Sequence, residues 1–490
     1  MSALFCIFAV MNLKALAKDT AIYGLSSIVG RFLNYLLVPL YTTMIPASCG
    51  GYGTVTNLYA YTALLLAILT FGMETTLFRF SGKEGEDPDR VYGTTLKMVG
   101  AVALFFAVSV LVLLKPIAGA LGYSAHPWYV GCMALIVSMD AFQAIMFSRL
   151  RQQRKAMKFM LCKFAFIIPN ILLNLFVFLV LSRHYQLPDG GVGFIFLVNL
   201  ACTASVFLWF IPELKGLGYG FDKDLARRML RYTWPLLLLS LVGILNQVAD
   251  KILYPWLVPG PEGKVQLGIY GACVKIAMIL SLLTQAFRYA YEPIVFGESR
   301  SKDSPATLSD GMKYFIIFSL LAFLAVMFYL PLLKYFVGAT YWEGMKVVPV
   351  VMAAEICMGI YFNLSFWYKL SDKTVWGAIL SGIGAMVMIG LNVLLVPRMG
   401  YMGCAWAGLA GYGSAMLLSY FIGSRKYPVK YDLRSALFFT LLALALLAAS
   451  HVFSLAGMGT VALMAADTLL LGIYVLFVLK SLRKQKSTVI

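Results

Sequence analysis

Charged residues are scarce in this sequence, and their scarcity excludes a soluble fold. Only 13% of the 490 residues are Asp, Glu, Lys or Arg, whereas 61% are hydrophobic. Soluble proteins usually contain about a quarter charged and about half apolar residues. Apolar runs of about 20 residues, the length that crosses a hydrocarbon layer of about 30 Å, recur along the whole chain. The sequence therefore predicts that lipid is its solvent.

The apolar runs also lack the alternation of polar and apolar residues that marks a barrel strand. Backbone polar groups inside lipid must bond within one helix or within a closed barrel. We therefore predict an all-α polytopic membrane protein of about 14 transmembrane helices. The predicted bounds are 19–44, 53–79, 91–114, 127–149, 159–182, 192–212, 232–257, 267–292, 312–333, 346–369, 374–396, 402–424, 433–453 and 458–480.

Several motifs of enzymes are missing. There is no GxxxxGK[ST] phosphate loop and no CxxC pair, and no loop is long enough to fold separately. A catalytic histidine needs an acid or nucleophile within hydrogen-bond reach, and the three histidines fall in short outer loops without such a partner: His126, His184 and His451. We expect no enzyme activity, no metal and no cofactor. The eight scattered cysteines are expected to be small buried hydrophobic residues.

The net charge of +18 would suit nucleic acid only if the basic residues were gathered on one folded face. Instead they fall in alternate loops. With the N-terminus inside, 31 of the 40 Lys and Arg residues lie in cytoplasmic segments and 6 in outer loops. Because loops retained in the cytoplasm carry the excess of positive charge, we predict that both termini are cytoplasmic, with an even number of helices and no nucleic-acid partner.

A weak internal echo suggests two halves in the same orientation. Tyr52-Gly53 lies at the start of the helix over 53–79, and Tyr270-Gly271 lies near the start of the helix over 267–292, at an offset near 215 residues. Many transporters are built from such repeats. The predicted organisation is a cytoplasmic lead-in over 1–18, a first six-helix half over 19–212, a cytoplasmic linker over 213–231, a second six-helix half over 232–424, two further helices over 433–480 and a basic cytoplasmic tail over 481–490.

Three basic residues are predicted at membrane depth, where a charge costs about 2.5–3.5 kcal/mol on insertion scales: Arg31, Lys251 and Lys275. We expect them to line a cationic cavity between the two halves. The polar residues Asn34, Asn246, Asp250 and Glu355 are expected to support that cavity. Neighbouring residues on a helix point about 100° apart, so we expect Asp250 and Lys251 to find their partners elsewhere rather than in each other.

Glu74 and Arg79 lie near the cytoplasmic end of the helix predicted over 53–79. They are separated by about a turn and a half. Two interpretations of these residues remain. They could form an ion pair that acts as an interfacial gate, or they could belong to an ordinary cluster of interfacial charges.

Several strings resemble a known family. KDTAIYGLSSIVGR over 18–31, followed by VPLYT over 38–42, is similar to the first helix of bacterial polysaccharide-biosynthesis flippases of the multidrug/oligosaccharidyl-lipid/polysaccharide exporter superfamily. Tyr52-Gly53, the stretch from Gly72-Met73-Glu74 to Arg79-Phe80, and Pro235 with Asp250-Lys251 are similar as well. The family often has Arg after this Asp, and Lys251 lacks the planar fork that holds phosphate bidentately.

The resemblance implies a function and its setting. The expected substrate is an undecaprenyl diphosphate carrying an O-antigen, capsule or similar unit, moved from the cytoplasmic to the outer leaflet of a bacterial inner membrane by alternating access. A proton or sodium gradient acting through Glu355 or Glu74, or the membrane potential, would drive the cycle. The expected partners are the lipid-linked oligosaccharide, the phospholipid bilayer and the glycan polymerase machinery, and the protein is expected to be a monomer.

Three other functions remain open. A drug or cation antiporter of the same superfamily would need a net acidic cavity, whereas the deep charges here include three bases. A flippase for the peptidoglycan lipid precursor would share the diphosphate. A membrane glycan polymerase or ligase usually carries a sizeable outer loop with catalytic residues, and the outer loops here are short.

Overall fold

The computed structural model describes residues 29, 33, 35–297, 304–371 and 373–489. Every regular element in this part of the chain is helical. The α-helices are α1 (Leu37–Met44), α2 (Gly51–Thr70), α3 (Met73–Ser81), α4 (Pro88–Val112), α5 (Leu114–Ala120), α6 (Pro127–Gln152), α7 (Ala156–Leu175), α8 (Ser182–His184), α9 (Val192–Val206), α10 (Lys223–Leu257), α11 (Pro261–Gly297), α12 (Ser304–Phe328), α13 (Leu330–Leu333), α14 (Val348–Leu364), α15 (Phe366–Leu370), α16 (Val375–Met399), α17 (Tyr401–Lys426), α18 (Leu433–Leu455) and α19 (Thr460–Val489). The all-helical membrane class is confirmed.

Twelve helical segments of the described residues are long and apolar enough to cross a membrane. The helix predicted over 19–44 lies largely outside the described residues. The helix predicted over 402–424 is present as α17, whose 26 residues are long enough to span; its many Gly, Ser and Tyr residues make it less apolar, and it is not among the twelve. The count of about 14 therefore stays a prediction.

Large apolar side chains cover the outward surface of the spanning helices. On α4, Leu104 and Phe105 are 67% and 76% exposed, and Val112 is 76% exposed. Apolar surface left in water forgoes the gain of about 25 cal/mol for each Å² that burial would give. The exposed belt is the surface expected of helices that face lipid acyl chains, and the protein is a multi-pass membrane protein.

The helices gather into two compact units. Among the described residues, unit 1 comprises those up to Ile45, Cys49–Ile252 and Gly260–Val265, and unit 2 comprises Pro46–Ser48, Leu253–Pro259 and those from Gln266 onward. Each unit has its own apolar core, with Met73, Leu77 and Ile145 fully buried in unit 1 and Leu324 and Tyr474 fully buried in unit 2. Most of α10 belongs to unit 1 by these contacts. The predicted six-helix repeat remains a prediction.

The helix predicted as continuous over 53–79 is broken in the structure. Phe71 and Gly72 take left-handed backbone angles, with φ of 33° and 72°, and separate α2 from α3. The hydroxyl of Thr233 in α10 donates a hydrogen bond to the carbonyl of Phe71 at 2.5 Å. Gly72 adopts the left-handed conformation without steric cost, and the Thr233 hydroxyl bonds to the backbone at the break.

The segment predicted as a linker over 213–231 is partly helical. A 3-10 turn covers Glu213–Gly218, and α10 begins at Lys223. The carboxylate of Asp222 accepts hydrogen bonds from the backbone N–H groups of Leu225 and Asp224, each at 3.0 Å. These bonds, with the Leu225 bond the larger cause, lower the pKa of Asp222 below its usual value, as expected for a carboxylate at a helix N-terminus.

The cysteine expectation holds for most of the described cysteines. Cys132, Cys162, Cys202, Cys273 and Cys404 are buried. Cys49 is exposed and Cys357 is half-buried, so the prediction of burial was wrong for Cys49.

Candidate functional site

Two of the predicted site residues, Arg31 and Asn34, lie outside the described residues. The cationic cavity was predicted around Arg31 together with Lys251 and Lys275. Its existence therefore stays a prediction, and the site has to be built from the residues that the structure places.

In unit 1, Lys251 pairs with the residue beside it. Its ammonium lies 3.0 Å and 3.1 Å from the two carboxylate oxygens of Asp250 and donates to the carbonyl of Gln247 at 3.1 Å. The expectation that Asp250 and Lys251 would not meet was therefore wrong. The Cα–Cβ bonds do point apart, but the four-carbon lysine side chain bends back along the helix and brings its charge to the neighbouring carboxylate.

Amide side chains fix the same stretch of α10. Asn57 in α2 donates to the carbonyl of Lys251 at 2.7 Å, and the Tyr123 hydroxyl donates to the Asn57 carbonyl oxygen at 2.7 Å. Asn246 is buried and donates to the carbonyl of Val242 at 3.0 Å. Asn57 was missed by the sequence analysis, although an amide in an apolar span was a signal that could have identified it.

In unit 2, Lys275 and Glu355 are half-buried. Lys275 is the fifteenth residue of the span Pro261–Glu292, which places it about 21 Å along the helix at 1.5 Å for each residue. It is therefore nearer the middle of its helix than the predicted bounds of 267–292 suggested. Glu355 lies in the middle of α14. The prediction that Lys275 and Glu355 line a cavity is not tested by these positions.

Glu74 pairs with a residue that the sequence analysis did not single out. Its carboxylate lies 2.9 Å from Nη2 of Arg151 and accepts a hydrogen bond from the Ser148 hydroxyl at 3.2 Å. Arg79 instead lies over the ring of Tyr232, 4.1 Å from its centre. The pairing of Glu74 with Arg79 does not form because residues face each other on a helix at spacings of three or four, and these two are five apart.

A second acid–base group lies in unit 2, and we call Arg288, Glu292 and Lys369 the unit-2 basic cluster. Nη2 of Arg288 and Nζ of Lys369 each lie 3.4 Å from the same oxygen of Glu292. Charge-assisted bonds are usually about 2.7–2.9 Å long, so both contacts are loose. One carboxylate faces two cations, and the cluster carries a net charge of +1.

The unit-2 basic cluster is accessible as well as charged. The three side chains are between 30% and 38% exposed. Aromatic rings support both cations: Arg288 lies 4.4 Å from the ring centre of Phe362, and Lys369 lies 5.0 Å from that of Phe366. Arg288 and Lys369 were predicted only as cytoplasmic charges that set the topology. Nothing in the sequence indicated that they form a site.

Comparison with known families is decisive for the class of protein. The model of a family described as "Polysaccharide biosynthesis protein" matches residues 16–293, which is more than half of the chain. The chain belongs to the polysaccharide biosynthesis protein family. The matched range contains the strings on which the family resemblance was based, so that prediction is confirmed. A sequence search of curated proteins found no match.

Solved structures share the fold of this polysaccharide biosynthesis protein. The structure titled "Lipid II flippase MurJ, inward closed conformation" matches with a TM-score of 0.73 and 15% identity, covering 94% of this chain and 98% of that one. An inward-facing multidrug resistance MATE family transporter of the MOP superfamily matches with a TM-score of 0.65 and 14% identity, covering 81% and 94%. The MATE multidrug transporter DinF-BH matches with a TM-score of 0.58 and 16% identity, covering 85% and 96%. At these identities the likeness shows the fold.

Proposed function

We propose that this polysaccharide biosynthesis protein is a flippase that moves a polyprenyl-diphosphate-linked oligosaccharide from the cytoplasmic to the outer leaflet. The observation that carries the proposal is the unit-2 basic cluster, in which two partly exposed cations share one carboxylate. Family membership and the fold shared with a lipid II flippase and MATE transporters support it.

The surplus charge of the cluster suits a diphosphate. Two unit charges 4 Å apart attract by about 4 kcal/mol at the effective dielectric constant of about 20 near a protein surface. Arg288 contacts Glu292 through Nη2, and a guanidinium has five N–H donors in a rigid fork that matches a phosphate group. Lys369 supplies a second charge from another helix. The surplus positive charge of the cluster therefore attracts a diphosphate.

The polyprenyl tail needs no such recovery, because it stays in the acyl region while the head group crosses. In this mechanism the protein shields only the diphosphate and the sugars. Arg31 and Lys275 would receive the diphosphate at greater depth, and Glu355 would couple the cycle to a proton or sodium gradient. The inner-membrane location, the cytoplasmic termini, the monomeric state and contact with a glycan polymerase belong to the same proposal.

The test is made in cells that depend on the protein for surface glycan. Depletion should remove surface glycan while the lipid-linked precursor accumulates in the cytoplasmic leaflet. The variant Arg288→Ala/Lys369→Ala, at equal protein level, should lower surface glycan at least tenfold, because each lost contact to a charged group is worth about 1.5–3 kcal/mol.

The matched control is Lys373→Ala, which removes an exposed charge four residues beyond Lys369 and should leave surface glycan unchanged. Normal surface glycan after depletion would contradict the flippase function. Normal surface glycan in the double variant would contradict the site while leaving the function standing.

A further inference from the structure

The two acid–base groups occupy corresponding positions in the chain. Glu74 and Glu292 are 218 residues apart, and so are their partners Arg151 and Lys369. The same offset aligns Tyr52-Gly53 with Tyr270-Gly271. An acid and a base that pair in both units at one common offset indicate the same contact made twice, once in each copy of a repeat.

The position of the bases within their helices agrees with this correspondence. Arg151 is the penultimate residue of α6, and Lys369 is the penultimate residue of α15. Glu74 is the second residue of α3, and Glu292 lies in the last two turns of α11. Each pair therefore ties the end of one helix to another helix within the same unit.

In unit 1, the ion pair of Glu74 with Arg151 lies next to the break between α2 and α3. Phe71 is held at a φ of 33°, a left-handed conformation that costs a residue with a side chain about 1–2 kcal/mol. Strain of this kind persists only where the surroundings over-determine it. The Thr233 hydroxyl fixes one side of the break, and the pair of Glu74 with Arg151 fixes α3 on the other side.

We infer that Glu74 and Arg151 are positioning residues of the transport cycle: their ion pair sets the orientation of α3 about the break at Phe71-Gly72. The inference rests on the proposed function. Neither residue needs to touch substrate for this role. Their carboxylate and guanidinium are closely matched, since Arg151 lies 2.9 Å from Glu74 and both also contact the Ser148 hydroxyl. The unit-1 pair is thus a closed contact without the surplus cation of unit 2.

The residue of unit 2 that corresponds to Arg151 suggests a conservative variant. Unit 2 makes the contact with lysine, so Arg151→Lys should keep the pair, whereas Arg151→Met and Glu74→Gln should lose it. The charge-swapped variant Glu74→Arg/Arg151→Glu should restore it. Lys155→Gln, which removes an exposed charge four residues beyond Arg151, is the matched control.

Two readouts are needed. The first is the distance between spin labels at the exposed positions 83 and 153, which follow α3 and α6, measured in purified full-length protein without its native cysteines. The second is surface glycan in cells. Arg151→Met and Glu74→Gln should broaden the distance distribution and lower surface glycan threefold to tenfold, while Arg151→Lys, the swapped variant and Lys155→Gln should resemble the wild type in both.

Three outcomes would overturn the inference. They are an unchanged distance distribution in Arg151→Met and Glu74→Gln, a broadened distribution with normal surface glycan in cells that lose surface glycan on depletion of the protein, and failure of the swapped variant and of Arg151→Lys together. The distance readout does not depend on any substrate. It therefore tests whether the ion pair of Glu74 with Arg151 orients α3, even if depletion of the protein leaves surface glycan intact and the flippase proposal fails.

Discussion

The two units contain the same kind of interhelical ion pair but differ in its charge balance. In unit 1, one carboxylate meets one guanidinium at 2.9 Å, from Glu74 to Arg151. In unit 2, Glu292 meets Arg288 and Lys369 at 3.4 Å each. The additional cation accounts for the difference: the residue 218 positions before Arg288 is Thr70, which is buried and bonds to the carbonyl of Leu66.

The difference shows how one contact can serve two purposes. A balanced pair has little attraction left for a ligand, so it can only hold helices together. An unbalanced cluster has a cation in excess and attracts an anion. We therefore assign a positioning role to unit 1 and diphosphate binding to unit 2.

The helices that carry the acids differ as well. Unit 1 breaks its helix at Gly72, with a φ of 72°, whereas unit 2 has Ala290 at the corresponding position in the uninterrupted α11. Glycine adopts the left-handed conformation without steric cost, and alanine favours a continuous helix. Each residue type suits the backbone of its own unit.

Substituting each of these two residues by the other type tests the difference between the two backbones, and Gly72→Ala should have the largest effect on stability. Gly72→Ala should lower the free energy of unfolding by at least about 1–2 kcal/mol, the cost of a side chain in the left-handed conformation. A Cβ there would also lie 2.7 Å from Oγ1 of Thr233. Ala290→Gly should cost only about 1 kcal/mol, the ordinary penalty of glycine within a helix. Thermal unfolding in detergent measures both.

Gly218→Ala is the control for this exchange, because a Cβ at Gly218 meets no atom within 4 Å. Its melting temperature should match the wild type. A larger loss for Ala290→Gly than for Gly72→Ala would show that the break in unit 1 is not the more demanding backbone.

A balanced ion pair also exists in unit 2, and its removal should have the smallest effect. Asp432 caps α18 and bonds to Lys313 at 2.8 Å and to the N–H of Ser435 at 3.0 Å. Burial raises the pKa of Asp432, but the hydrogen bonds from Lys313 and Ser435 outweigh burial and hold the pKa at about 2. A folded-state pKa below the usual 3.8 means that the charge stabilises the fold above about pH 4, and that this contribution is lost as the pH falls towards about 2.

Asp432→Asn keeps a side chain that can cap the helix and removes the charge. It should lower the melting temperature slightly at neutral pH. The loss in free energy of unfolding should be below about 1 kcal/mol, because the pair is partly exposed. The difference from wild type should shrink as the pH falls from about 4 to about 2, and surface glycan should follow protein level alone. A difference that grows in this acidic range would contradict the assigned direction of the shift.

Much of the fold could be predicted from the sequence because it depends on local patterns. Apolar runs indicated the helices, and α18 and α19 begin within two residues of their predicted starts. The break at Phe71-Gly72 was missed, although Gly72 was a signal that the helix could end there, and the bond from Thr233 comes from 162 residues away. The start of α10 at Lys223 was missed because its first residues are charged and carry no signal of a membrane span.

The site was predicted less well because partners depend on tertiary contacts. Glu74 was singled out as a site residue, but its partner lies in another helix. Lys251 was identified by depth, but the flexibility of its side chain decides that it meets Asp250. Arg288 and Lys369 were counted as topology charges, and only their shared contact with Glu292 sets them apart.

The central claim is that the surplus cation of unit 2 serves the movement of a diphosphate-linked glycan. Its most direct test is transport by purified protein in liposomes that contain lipid-linked oligosaccharide, with the arrival of glycan on the opposite leaflet detected by a membrane-impermeant lectin. Wild type and Lys373→Ala should move the lipid at equal rates, and Arg288→Thr, which places the unit-1 residue type in unit 2, should be at least tenfold slower. Equal rates for Arg288→Thr and wild type would contradict the account.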